Sequence, residues 1–284
     1  MNRNKNVMYT NNNSIRKMLE EQFNSTPNNI AVENFDYKIT FAQLDKKSNQ
    51  LAKALINGGI VPGNTVALLM RRSAYMIIAI LAALKVGAGY VIVNNNFSAE
   101  EQENMIKNSK AKALLAVNYR YNMNIDLPVY NLERMDDFKD GNLPYAFYNM
   151  NGDYKKLINN TISAIKKYNL NSDDIVLQKT PGIYKTSIFE MLIMLFSGAK
   201  LCILNNEKDK INIKLLADTI NDKKITVCVF NFYELEEMLS YAKDKTYLDK
   251  IKSLKKIFIP NSDISPYIMN EFKKINIELC MLLR

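Results

Sequence analysis

Histidine is absent from the 284-residue chain. That removes the usual general base of a catalytic triad and the commonest zinc ligand, so most hydrolase readings fall away; no catalytic residue and no metal site is nominated. Cysteine is scarce. Cys202, Cys228 and Cys280 each sit in an apolar run that reads as a strand, are odd in number and lack Cys-x-x-Cys spacing. Buried, reduced thiols in a cytoplasmic protein are therefore expected. Unbroken apolar runs of membrane-spanning length are also missing: Ile77 to Val93 is interrupted by Lys85, Gly87 and Gly89, and Ile188 to Leu204 by Glu190, Gly198 and Lys200. The start, Met1-Asn2-Arg3-Asn4-Lys5-Asn6, has no apolar core behind it. No signal peptide is read, and residues 1–13 are expected to form a flexible tail. Concentrated charge is lacking too. The 38 basic residues against 29 acidic ones give +9, but the lysine pairs, such as Lys46-Lys47, Lys166-Lys167 and Lys273-Lys274, are spread along the whole chain. They read as solvated surface, and no nucleic-acid partner is expected.

What is present is patterned for a large core, with 48% hydrophobic residues. Ser14 is expected to cap an amphipathic helix with Ile15, Met18, Leu19 and Phe23 on one face. A short extended pair follows over 30–33 and 38–39. Thr40 then caps a helix over 41–56, with Phe41, Leu44, Ser48, Leu51, Ala52 and Leu55 on its buried stripe. Strands are read over 65–70, 90–93 and 113–117, with helices over 73–86 and 98–108. In the second half the helices are 154–168, 187–196, 211–221, 233–241 and 265–274, and the strands 175–178, 200–204, 226–230, 256–259 and 277–282. This alternation predicts an α/β protein of two lobes, each a mainly parallel sheet covered by helices. The expected lobes are 14–125 and 143–284, joined by a Pro- and Gly-punctuated connection over 126–142.

Several segments, read in order, resemble the motifs of amino-acid adenylation domains from nonribosomal peptide synthetases, members of the adenylate-forming, AMP-binding superfamily. Ile39-Thr40-Phe41-Ala42-Gln43-Leu44 is similar to the family's Leu-Thr-Tyr-x-Glu-Leu, and Leu84-Lys85-Val86-Gly87-Ala88-Gly89-Tyr90-Val91 to its Leu-Lys-Ala-Gly-x-Ala-Tyr-Leu. Asp174-Ile175-Val176-Leu177-Gln178-Lys179-Thr180-Pro181 resembles the segment ahead of the family's Phe-Asp-x-Ser motif. The resemblance runs from about Ser14 to Leu283 and implies the fold of the front part of an adenylate-forming enzyme, with ATP and Mg²⁺ as the family's cofactors.

The departures fall on the chemistry. Adenylation must grip a polyphosphate. The family does so with a Ser/Thr/Gly-rich loop whose small residues let backbone N–H groups reach the anion. Here the corresponding stretch contains Tyr148, Asn149, Asn151 and Gly152, followed by the acidic Asp153. Family resemblance assigns Lys185, Thr186, Phe189, Phe258 and Pro260 to the substrate pocket. Lys185 stands where an aspartate would pair with the substrate's ammonium group, a reversal of sign. The chain ends at Arg284, ahead of the family's Tyr-Gly-Pro-Thr-Glu motif and its C-terminal lid. Gly182-Ile183-Tyr184-Lys185-Thr186 fails as a P-loop, because Lys179 and Tyr184 occupy its glycine positions. Met191, Met194 and Phe196 read as core. The resemblance thus implies a truncated, catalytically inactive adenylation-like domain without bound cofactor, acting as a scaffold or interaction module. Its expected partner is another peptide-synthetase domain or a second copy. The alternative is an adenylate-forming ligase half that activates a carboxylate with ATP when completed by a partner chain.

Overall fold

Capping chemistry sets most helix starts. The computed structural model describes residues 12–34, 37–118, 123–138, 152–204, 212–260 and 264–281. Helix α1 (Asn12–Ser25) begins ahead of Ser14, which is thus not its cap. Nothing in Asn12-Asn13 stops it, because first-turn N–H groups need no intrahelical acceptor. Helix α2 (Phe41–Asn57) opens on a complete capping box: Gln43 N–H donates to Thr40 Oγ1 at 3.2 Å, and Thr40 N–H to Gln43 Oε1 at 2.9 Å. Ser73 caps α3 (Ala74–Val86), which ends where Gly87 turns left-handed, φ 79°. Ser98 and Glu101 box the start of α4 (Ala99–Asn108). Helices α5 (Gly152–Lys167), α6 (Lys185–Ser197), α7 (Ile213–Lys223), α8 (Phe232–Ser240), α9 (Lys245–Ile251) and α10 (Pro266–Lys274) follow. Helix α9 was not expected. It buries only Tyr247 and Ile251, one turn apart, too short a pattern to read as a period.

The strands are β1 (Ile30–Glu33), β2 (Lys38–Thr40), β3 (Thr65–Leu69), β4 (Gly89–Ile92), β5 (Ala113–Ala116), β6 (Val129–Asn131), β7 (Ile175–Gln178), β8 (Lys200–Ile203), β9 (Val227–Val229), β10 (Lys256–Ile259) and β11 (Glu278–Met281). They form one sheet in the order β11-β10-β9-β7-β8-β1-β2 and another in the order β4-β3-β5-β6. Every pair is parallel except β1 with β2. Sheet membership cuts across the expected lobes. The N-terminal hairpin joins β8 of the second half, Val32 opposite Leu201 and Glu33 opposite Cys202. The connecting segment supplies β6, parallel to β5, and a 3-10 turn over Leu132–Asp137. Residues 143–151, the start of the expected second lobe, lie outside the described residues.

The hairpin is pinned by charge. Glu33 is buried and takes Lys200 Nζ on Oε2 and Lys223 Nζ on Oε1, each at 2.9 Å. Burial alone would raise its carboxyl, but the two lysine hydrogen bonds outweigh that and hold it at about 2.

Alternate strand residues face opposite layers, as the pleat requires. Val176, Leu201, Val227 and Phe258 join the central core, which also takes Leu68 and Leu115 from the smaller sheet and side chains of α1, α2, α3, α5 and α6. Their chain neighbours Leu177, Cys202, Cys228 and Ile257 pack under α7, α8, α9 and α10 on the far face. Ala67, Leu114 and Ile106 of α4 form the third cluster, behind the smaller sheet. The middle helical layer thus lies between two sheets. Lys85 on α3 is buried in it. Its Nζ donates to Asn49 Oδ1 at 2.7 Å, Ser48 Oγ at 2.8 Å and Asp45 Oδ1 at 2.8 Å, locking α3 to α2. Burial lowers its ammonium to about 8, with Asp45 opposing the shift. The cysteines are free and buried, as expected, and burial raises each thiol. Among the described residues no helix is long and apolar enough to cross a membrane.

Candidate functional site

In the larger sheet α6 leads from β7 to β8 on one side, and α7 leads from β8 back across to β9 on the other. The carboxyl ends of β7 and β9 therefore diverge, which makes a topological switch point, where open α/β sheets form their ligand crevices. A cavity of about 280 Å³ lies there, lined by Lys179, Thr180, Thr186, Asn231, Glu234 and Pro260 among others.

Each lining group is held by local structure. The end of β7 is tied to α6 because buried Gln178 donates to Ser187 Oγ at 3.1 Å. Asn231 caps α8, its own N–H donating to Glu234 Oε2 at 2.8 Å and its Oδ1 accepting from Glu234 N–H at 3.0 Å. That box aims the Glu234 carboxylate across the cavity at Lys179, whose Nζ lies 2.6 Å from Oε1 and 2.8 Å from Oε2. The same ammonium sits 5.0 Å from the centre of the Phe230 ring. Arg72, from the loop after β3, donates to the Lys179 carbonyl oxygen and so bridges the two sheets. Beneath the cavity wall Glu190 of α6 is wholly buried. Its Oε1 accepts from Thr180 Oγ1 at 2.7 Å, and its Oε2 meets no hydrogen-bond partner. Burial pushes this carboxyl up to about 7, against the pull of Lys179, Thr180 and Arg72.

Of the positions assigned by resemblance, Thr186 and Pro260 line the cavity and Lys185 does not. Lys185 is exposed as the first residue of α6. Phe189 and Phe258 lie in the core, rings 5.2 Å apart, with Tyr168 edge-on to Phe258 at 5.4 Å. Gly152 opens α5, whereas Tyr148, Asn149 and Asn151 lie outside the described residues. Sequence reasoning missed Arg72, Lys179, Thr180, Glu190, Asn231 and Glu234 as site residues. Two signals were legible: Glu190 is a carboxylate inside an apolar run, and Asn231-x-x-Glu234 is a capping-box pattern. The Arg72 contact joins residues 107 apart and left none.

A second cavity, of about 300 Å³, lies between the sheets, on the other side of the turn from Pro181 to Tyr184, which lines both.

Residues 19–140 match the family model described as AMP-binding enzyme. The chain is 29% identical over 285 residues to zwittermicin A synthase ZmaJ of Bacillus cereus, covering 92% of this chain and 54% of that protein. It is also 29% identical to tyrocidine synthase 3 of Brevibacillus parabrevis, over 91% of this chain but only 4% of the relative. The chain thus spans about half of the first relative and a small part of the second. Among solved structures it is similar to the Klebsiella oxytoca NpsA N-terminal subdomain in complex with 3-hydroxyanthranilyl-AMSN, with a TM-score of 0.76 and 17% identity, covering 98% of this chain and 74% of that one. The nonribosomal peptide synthetase FmoA3 aligns with a TM-score of 0.82 and 13% identity, over 94% of this chain and 31% of that one. The structural likenesses establish the fold.

Proposed function

We propose that the chain, whose residues 19–140 match the AMP-binding enzyme family model, is an adenylation-like domain of a peptide-synthetase system that does not itself form an adenylate. Its fold then serves as a scaffold or protein-interaction module. The observation that carries this reading is the Lys179–Glu234 pair. Adenylation needs cations directed at a polyphosphate. Among the described residues lining the switch-point cavity, Lys179 is the cation, and both oxygens of Glu234 hold it. An incoming triphosphate would have to break that pair and then lie against the Glu234 carboxylate. The sequence supports the same reading: Tyr148, Asn149, Asn151 and Gly152 stand where the family has hydroxyl- and glycine-rich residues. Lys185, Thr186, Phe189, Phe258 and Pro260 are, on this reading, what remains of a substrate pocket, its floor closed by the Phe189–Phe258 contact.

The partner is another domain of such a system or a second copy of the chain, and the setting is cytoplasmic. Tyr233, Tyr267 and Met269 are large side chains exposed by 80%, 68% and 42% in the first turns of α8 and α10, which follow the adjacent strands β9 and β10. Tyrosines of this kind anchor protein interfaces.

Titration calorimetry with ATP·Mg tests the proposal. The expected result is no binding at micromolar concentrations; tight binding overturns it. Amino-acid-dependent pyrophosphate exchange that emerges only on adding a partner chain would select the partner-completed ligase instead.

A further inference from the structure

Lys179 directly follows β7, and Glu234 stands in the first turn of α8, 55 residues further along. Both side chains are largely withdrawn from solvent, exposed by 5% and 17%. The carboxylate is engaged through both oxygens. Its Oε1 takes Lys179 Nζ at 2.6 Å, and its Oε2 takes both Lys179 Nζ and the Asn231 N–H at 2.8 Å. An ammonium from one element and a backbone amide from another thus converge on one carboxylate, the kind of donor set that holds a bound oxyanion. Here the oxyanion is part of the chain. Glu190, the carboxyl that also acts electrostatically on Lys179, is raised to about 7 by burial, so below that pH the Lys179 charge is balanced by Glu234. Taking one partner from a buried pair leaves a desolvated charge uncompensated, a strongly unfavourable state. A vacated Glu234 position would therefore draw in an anion from solution, whereas the occupied one repels it. The Phe230 ring, 5.0 Å from Lys179 Nζ, stays in place when Glu234 is removed and keeps the ammonium positioned.

We propose that the Glu234 carboxylate is an internal ligand, an autoinhibitory contact filling an oxyanion position defined by Lys179 Nζ and the Asn231 N–H, so that this position takes a small external oxyanion only when Glu234 is withdrawn. The device rests on the reading that the same pair keeps a triphosphate out, and makes that exclusion reversible. Its strength comes from proximity: Glu234 is tethered two bonds of backbone geometry away from the amide it accepts from, through the capping box, and needs no ordering from solution.

Thermal unfolding of the whole chain at about pH 6, below the midpoint of Glu190 ionisation, tests it with sodium acetate as the probe and sodium chloride at equal ionic strength as the reference. Glu234→Ala is expected to show a melting midpoint that rises with millimolar acetate over chloride, as mass action requires of a ligand of the folded state. The parent, and Glu234→Ala combined with Lys179→Met, are expected to bind acetate at least about tenfold more weakly, the value of a hydrogen bond to a charged group, and so to show no such rise. Glu234→Gln, whose side-chain oxygen can still accept from Asn231, guards against loss of the fold in the alanine variant and is expected to respond in the same direction. An acetate-specific rise in neither variant, an equal rise in the parent, or a rise that survives Lys179→Met overturns the proposal. Tight ATP·Mg binding by the parent would overturn the reading beneath it while leaving these outcomes to be read separately.

Discussion

Glu190 is the residue whose burial has the clearest consequence. A carboxyl raised from 4.5 to about 7 means that the folded chain holds its proton more tightly than the unfolded chain does. The group therefore costs nothing below pH 4.5, and stability falls as pH rises from there through about 7. Glu190→Gln keeps an acceptor for Thr180 and cannot ionise, so it is expected to match the parent at about pH 4 and to exceed it at about pH 8, by up to about 3 kcal/mol. Urea unfolding at the two pH values measures the difference. Lys85 is the opposite case, a buried cation whose three side-chain acceptors depend on it. Lys85→Ala takes the ammonium donor from the Ser48 and Asn49 side-chain oxygens beside a void and is expected to cost at least about 3 kcal/mol in the same assay. Both residues were visible in the sequence as charges interrupting apolar runs. Their partners were not, because Lys85 reaches residues 36 to 40 positions away.

Elements were legible wherever a local rule fixes them. The Thr40–Gln43 and Ser98–Glu101 boxes and the left-handed Gly87 and Gly198 lie in the few residues around each helix end. Thr40→Ala is expected to cost about 1 kcal/mol, read as a lower unfolding midpoint at unchanged slope. Elements shorter than two turns of pattern escaped: α9 and β6 bury too few residues to display a period. Strand β1 adds a charge-dependent prediction. Its Glu33 carboxylate is held near 2, so the stability it supplies is present above pH 4.5 and is lost as pH falls through about 2. Glu33→Gln is expected to lower stability at pH 7 by about 2 kcal/mol, the value of hydrogen bonds to a charged group, and to leave it unchanged near pH 2. Acid and neutral denaturation curves of the two proteins check this.

At the scale of the molecule, the N-terminal hairpin belongs to a sheet whose other strands begin more than 130 residues later, and α1 packs on α6. Residues 14–125 expressed alone are therefore expected to lose cooperative unfolding, whereas the whole chain unfolds in one transition; urea titration followed by circular dichroism distinguishes them. The sequence by itself determined the α/β alternation, the capped start of α2 at Thr40, the buried thiols and the ordered motifs that resemble an adenylation domain. Each is written in contiguous residues through backbone geometry and period. Only the tertiary structure decided which strands share a sheet, that Phe189 and Phe258 close into the core while Thr186 and Pro260 meet a cavity, and that Lys179 is spoken for by Glu234. Those outcomes depend on contacts between distant segments, where burial and charge pairing, rather than local propensity, set the energy.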